Sequence, residues 1–150
     1  MTEEVLISVK GLHTLEDTQK DEVEVISAGK YYKRNGKHYV LFEETVEGSG
    51  ESINSRIKLA GERMEVCQKG AVNSQLVFER NRKNESWYGT PYGNMLAGIR
   101  VKDMKMEESE DIIKASVDYS LELNYEHMAD CSLQVKIVAK DSGRFSLTEQ

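Results

Sequence analysis

The sequence predicts an all-β protein whose strands form a closed or nearly closed antiparallel barrel of about 8–10 strands. Three observations predict it. Apolar and polar residues alternate with a period of two along nearly the whole chain. Turn signals recur roughly every 8–14 residues. No apolar stripe at helical spacing runs long enough for a helix. One apolar face per strand and short connections imply an antiparallel meander, and closing it removes the exposed edges that a flat sheet of this size would carry. A chain of 150 residues fits one domain, 1–150, long enough to bury roughly 68–70% of its unfolded surface. No linker, repeat or low-complexity tract divides it.

Val5–Gly11 is the first expected strand. Next comes "VEVISAGKYYKR" (23–34), joined to "HYVLFEETV" (38–46) through Asn35–Gly36, a dipeptide suited to the positive φ angles of a type I′ hairpin turn. Ile53–Leu59, Arg63–Gln68 and Asn73–Arg80 follow, separated by turns at "AGE", "KGAVN" and "ERNRKNE". "NMLAGIRVKDMKM" (94–106) places Met95, Ala97, Ile99 and Val101 on one face and Gly98, Arg100 and Lys102 on the other. In "IKASVDYSLELNY" (113–125) the odd positions, Ile113 to Tyr125, are apolar or aromatic and the even ones polar. At about 3.4 Å per residue it would exceed 40 Å, so a curved or broken strand is expected. Cys131, Leu133, Val135, Ile137 and Ala139 give the last strand its apolar face.

Charge and composition narrow the function. The chain holds 26 acidic and 20 basic side chains, interspersed, so it repels phosphate backbones on average and is not expected to bind nucleic acid. "MTEEVLISVK" has neither a basic n-region nor a long apolar run, so no signal peptide is read. No stretch approaches the roughly 20 apolar residues of a membrane helix. The cytoplasm is the expected compartment. Cys67 and Cys131 stand alone and read as reduced thiols rather than a bridge or metal site.

One stretch departs from plain alternation. "NESWYGTPYGNM" (84–95) carries the only Trp and the only Pro, with two Tyr and two Gly. Pro91 donates no ladder hydrogen bond, and Gly89 and Gly93 permit unusual backbone angles, so "GTPYG" (89–93) reads as a fixed corner, with Trp87, Tyr88 and Tyr92 packed against the barrel end. The plainer expectation is that its aromatics plug the barrel mouth. The functional expectation is a ligand site made by Trp87, Tyr88, Thr90 and Tyr92, with hydroxyls orienting a small, partly apolar molecule. A protein contact is a third, since Trp and Tyr are favoured at interfaces.

"SQLVFERN" (74–81), "WYGTPYGNM" (87–95) and "VDYSLELN" (117–124) together resemble the YwiB-like family of small bacterial proteins of unknown function. The resemblance spans nearly the whole chain and is most specific at "TPYG" and the "Y-x-L" strand. It implies a lipocalin-like, calycin-like antiparallel barrel and no reaction. Where family members have Arg-Gly before the "SQ" strand, this chain has Lys69–Gly70, which keeps the charge but loses bidentate geometry.

Motifs for catalysis are sparse. His13, His38 and His127 form no metal-type spacing. His38 shares parity with Val40 and Phe42 and is expected inward, hydrogen-bonded near a barrel end. Glu126, His127 and Asp130 lie in "NYEHMAD", read as a polar hairpin connection. Nucleophile-elbow and nucleotide-loop motifs do not occur. Glu22 and Glu24 in "EVEV" resemble the acidic strand of triphosphate-tunnel enzymes, but Ile26 stands where that pattern needs lysine. The solvent face opposite Val23 and Val25 is the simpler place for them. Ser27, Gln68 and Ser74 are polar at apolar parity and need partners from backbone, water or ligand. Arg56 and Arg100 are expected in solvent. The expectation is a non-enzymatic cytoplasmic barrel for a small, partly apolar ligand, with no cofactor, metal or membrane contact. The alternative is a protein-interaction module whose own side chains fill the barrel, with a homodimer as one assembly; a tunnel-type phosphate-ester enzyme ranks below both.

Overall fold

The computed structural model describes residues 3–14, 20–45, 48, 50–90 and 93–140. They form ten antiparallel strands: β1 (Glu4–Thr14), β2 (Lys20–Arg34), β3 (Lys37–Thr45), β4 (Ser52–Ala60), β5 (Arg63–Gly70), β6 (Asn73–Glu79), β7 (Lys83–Thr90), β8 (Gly93–Glu108), β9 (Ile112–Leu123) and β10 (Glu126–Ala139). Each pairs with its sequence neighbours, and β1 pairs with β10 to close the barrel. No helix occurs among the described residues. Closure satisfies the ladder groups that an open meander would leave at two edges.

The alternation sets the inside. Antiparallel partners share a face, and the rows of partners Val5–Ala139, Ile7–Ile137, Val40–Ile57, Met64–Phe78 and Val101–Tyr119 point inward. The hairpin at Asn35–Gly36 has φ of 53° and 75°, the positive pair that a type I′ turn requires. The polar connection expected around "NYEHMAD" is shorter than expected: Asn124 and Tyr125 make the turn with φ of 51° and 71°, and β10 begins at Glu126.

The strand over 112–123 is continuous, and the irregularities fall on its neighbours. The register shifts between Val101 and Asp103 in β8 and between His127 and Ala129 in β10. Past the β8 shift, inward parity changes from odd to even, so Met104 and Met106 take up the face that Ile99 and Val101 began. Such an insertion bends a long strand round a barrel.

One segment differs from expectation. Residues 83–90 form strand β7, so Trp87 to Thr90 are extended, and β8 begins at Gly93; of the corner expected at 89–93, Pro91 and Tyr92 lie outside the described residues. Gly89 lies inside the strand, where a Cβ would come 3.1 Å from Asn94 Oδ1. Lys69, which stands where the resembling family has arginine, is exposed on the outer face beside Asn54. Gly70 next to it has φ of 122°, and a Cβ there would collide with the Ser52 carbonyl; the glycine is dictated by the backbone.

The β6–β7 ladder is the seam of the barrel, limited to the pairs Asn73–Gly89 and Ser74–Tyr88. Beyond it the Ser86 hydroxyl donates to the Gln75 carbonyl. Arg80 then spans the gap, donating to the Met104 carbonyl and pairing with Asp103 (3.4 Å) and Glu62 (3.2 Å). A surface recess of about 420 Å³ lies there, lined by Gly61, Glu62, Arg80 and residues 104–107.

Candidate functional site

The two ends of the barrel differ. Toward the β2–β3, β4–β5 and β8–β9 turns, the inward side chains are sealed: Val5, Ile7, Leu59, Met64, Phe78, Met104, Ile113 and Ile137 are all 2% exposed or less. A polar chain crosses this floor. Tyr31 Oη lies 2.7 Å from His38 Nδ1, and His38 Nε2 lies 3.1 Å from Glu108 Oε1. Glu108, as a carboxylate, only accepts, so Nε2 donates to it, which leaves Nδ1 to the Tyr31 hydroxyl. His38 is buried and hydrogen-bonded at both ring nitrogens, inward as its parity predicts. Burial, with Glu108 adding to it, pushes the Tyr31 hydroxyl pKa up. This arrangement closes an end.

Toward the other end, where β1–β2, β3–β4, β5–β6, β7–β8 and β9–β10 connect, many inward positions become only half-buried, although Ser55, Ser74, Ala97, Ala129 and Cys131 stay buried. Val9, Val25, Val66, Leu76, Tyr88, Met95, Leu121 and Leu133 all face inward by register and remain partly accessible. Inward and accessible together mean an interior open at this end above a packed floor. The change is visible along β9: Ile113, Ala115 and Val117 are buried, whereas Tyr119, Leu121 and Leu123 are half-buried.

The open half has two unlike walls. Gly29, Phe42, Ser55, Gln68, Ser74, Tyr88 and Met95 are successive cross-strand neighbours from β2 to β8. Four of these seven, on four adjacent strands, are polar. The Ser74 hydroxyl donates to Gln68 Oε1 at 3.1 Å. Ser55 is 3% exposed and its hydroxyl has no hydrogen-bond partner. Burial pushes the Tyr88 hydroxyl pKa up. Glu44, on β3 two residues beyond Phe42, follows the inward parity of Val40 and Phe42. Burial also raises the Glu44 carboxyl above its ordinary 4.5. The opposite wall, from β8 round to β2, is mainly apolar: Met95, Leu121, Leu133, Val9 and Val25. Tyr119 and Cys131 pair on it, and burial raises both pKa values.

The four residues expected to bind do not share one face. Tyr88 faces the interior beside Ser74 and Met95. Trp87 is on the outer face and 65% exposed, so it plugs nothing. Thr90 ends β7 paired with Gly93, and its side chain, like Tyr92 and Pro91, lies outside the described residues. Ser55 and Glu44 were not singled out from sequence. Their signal was present: Ser55 sits at the parity of Ile53, Ile57 and Leu59, and Glu44 at that of Val40 and Phe42.

Other candidates resolve into surface pairs. Glu24 is exposed and accepts from the Ser8 hydroxyl at 3.1 Å, on the solvent face of β2. Lys102 (2.8 Å) and His127 (3.3 Å) both pair with Asp130, and together they hold its carboxyl below the usual range. Arg56 and Arg100 are exposed. Neither cysteine forms a disulfide; Cys131 is buried and Cys67 half-buried on the outer face. The side chains of His13 and Glu22 lie outside the described residues.

The family described as Domain of unknown function (DUF1934) matches residues 7–135. No curated protein matches the chain. Among solved structures, the crystal structure of ywiB protein from Bacillus subtilis is similar in fold. Its TM-score is 0.74 at 18% identity, covering 88% of this chain and 89% of that one.

Proposed function

The chain belongs to the DUF1934 family, a YwiB-like family of unknown function, and we propose that its barrel is a non-enzymatic cytoplasmic receptor for a small, partly apolar molecule. One observation carries the reading: Val9, Val25, Val66, Leu76, Tyr88, Met95, Leu121 and Leu133 face inward toward one end yet stay half-accessible, while Val5, Ile7, Leu59, Met64, Phe78 and Ile137 toward the other are sealed. An interior filled by its own side chains would be buried from end to end. The ligand enters past the β7–β8 connection and covers Leu121, Leu133 and Met95, each Å² of apolar surface removed from water contributing about 25 cal/mol. Tyr88 is the residue of the expected set that meets it.

Native mass spectrometry of protein isolated from its own host tests this. An excess mass of a few hundred daltons, released on denaturation and absent from Tyr88→Ala, is the expected result. A bare monomer mass, together with no change in the amide spectrum when host extract is added, refutes it.

The exposed indole favours a second reading, an interaction module. Trp87 pairs across the ladder with Leu96 on the outer surface, and Tyr125 and Met128 are exposed nearby in sequence to the β9–β10 turn. A homodimer through this face would dissociate in Trp87→Ala, read by sedimentation.

A further inference from the structure

Resting on the binding reading above, we infer that the ligand is an amphipathic amine, held with its ammonium against Glu44, a hydrogen-bonding group on Ser55 and its apolar body against the β8–β10 wall. Glu44 pairs with Ile53, which places Ser55 diagonally across from it on the same inward face, about 7–8 Å away. Neither polar group is satisfied by the protein. The Ser55 hydroxyl is buried without a partner, and Glu44 has neither an ion pair nor a hydrogen bond among the described residues. A half-buried carboxylate with no counter-charge is costly, and any ligand that covers it decides whether that cost grows or is relieved.

Three head groups are distinguishable on this ground. An anion adds repulsion, and among the described residues no lysine or arginine occupies an inward position of the open half to offset it. A neutral head strips water from Glu44 without supplying charge. A protonated amine compensates the carboxylate, and a hydroxyl or amide beside it reaches Ser55. The wall between Ile53 and the packed level of Ile57 rises about 10 Å once strand tilt is allowed for, which suits an apolar body of about eight carbons.

The test is isothermal titration of the full chain at pH 7 with octylamine, 1-octanol and octanoate, matched in length and differing in head group. Octylamine is expected to bind about tenfold more tightly than octanoate. Glu44→Gln is expected to remove that preference, weakening octylamine and relieving the penalty that octanoate and octanol meet at the carboxylate. Octanol or octanoate binding as tightly as octylamine, or a preference that survives Glu44→Gln, overturns the amine and leaves the binding barrel standing. No binding by any of the three overturns the amine and counts against the barrel itself. Circular dichroism of Glu44→Gln confirms that the comparison is between folded proteins.

Discussion

Replacing Ser55 by alanine should stabilise the ligand-free protein, the opposite of what truncating a buried, hydrogen-bonded serine does. The Ser55 hydroxyl is 3% exposed and unpartnered, with Phe42 and Gln68 as its cross-strand neighbours. The Gln68 side-chain oxygen is already engaged by Ser74. Burying an unpaired hydroxyl costs about 1–3 kcal/mol on protein mutational scales. Alanine leaves a void of about one oxygen atom, worth ~0.3 kcal/mol at about 24 cal/mol per Å³. The net gain is therefore about 1 kcal/mol, a rise in Tm of roughly 2–4 °C for a chain of this size. The assay is urea and thermal unfolding of protein freed of ligand by refolding. Ser74→Ala is the internal control in the same row: it removes a made hydrogen bond and should cost about 1 kcal/mol. If Ser55→Ala destabilises as much as Ser74→Ala, the Ser55 hydroxyl has a partner in solution and the reasoning fails.

Two further outcomes follow from the same geometry. Arg80→Ala should cost about 2 kcal/mol, since it removes charge-assisted bonds to the Met104 carbonyl, Asp103 and Glu62 where the β6–β7 ladder has ended; hydrogen exchange at β8 residues 103–106 should accelerate, and unchanged exchange refutes the seam. Glu44→Gln should be more stable than the parent at neutral pH. Burial raises the Glu44 pKa above 4.5, so between that value and its folded pKa the native state holds more protons than the unfolded one. Stability of the parent therefore falls as pH rises through that window, and the loss is complete above it. Glutamine suffers no such loss, so the gap between the two proteins should widen from pH 4 upward; a gap independent of pH would mean that Glu44 is solvated.

Much of the fold was legible because alternation fixes both strand identity and facing. Val5, Ile7, Val40, Ile57, Val117 and Ile137 are all inward at the parity the sequence assigns. What alternation cannot express is an extra residue: the β8 shift at Val101–Asp103 moves the inward set to Met104 and Met106, and no local signal marks it. Residues 87–90 were read into a barrel-end corner because Pro, Gly and aromatics mimic turn chemistry, whereas ladder pairing with β8 holds residues 83–90 extended. That pairing is non-local, and local propensity does not contain it. The site was half legible. Tyr88, Gln68 and Ser74 stood out from sequence, but Trp87 belongs to the other face, and Ser55 and Glu44, polar at apolar parity, were passed over until cross-strand register set them diagonally on one inward face.

The grouping of these residues bears on what the barrel is for. Ser55 and Glu44 each destabilise the empty protein, one as an unpaired hydroxyl and the other as a half-buried carboxylate. Both lie on adjacent strands, face the same opening and continue a polar row through Gln68, Ser74 and Tyr88. The sealed end shows the contrast: its one polar chain, Tyr31–His38–Glu108, is satisfied from member to member. A chain able to complete a polar network at its floor leaves one incomplete at its mouth, where a ligand would complete it. Sequences agree with their folds at most positions and depart from them where function requires it. Two departures within reach of a single small molecule are better explained by that molecule than by two separate faults of packing.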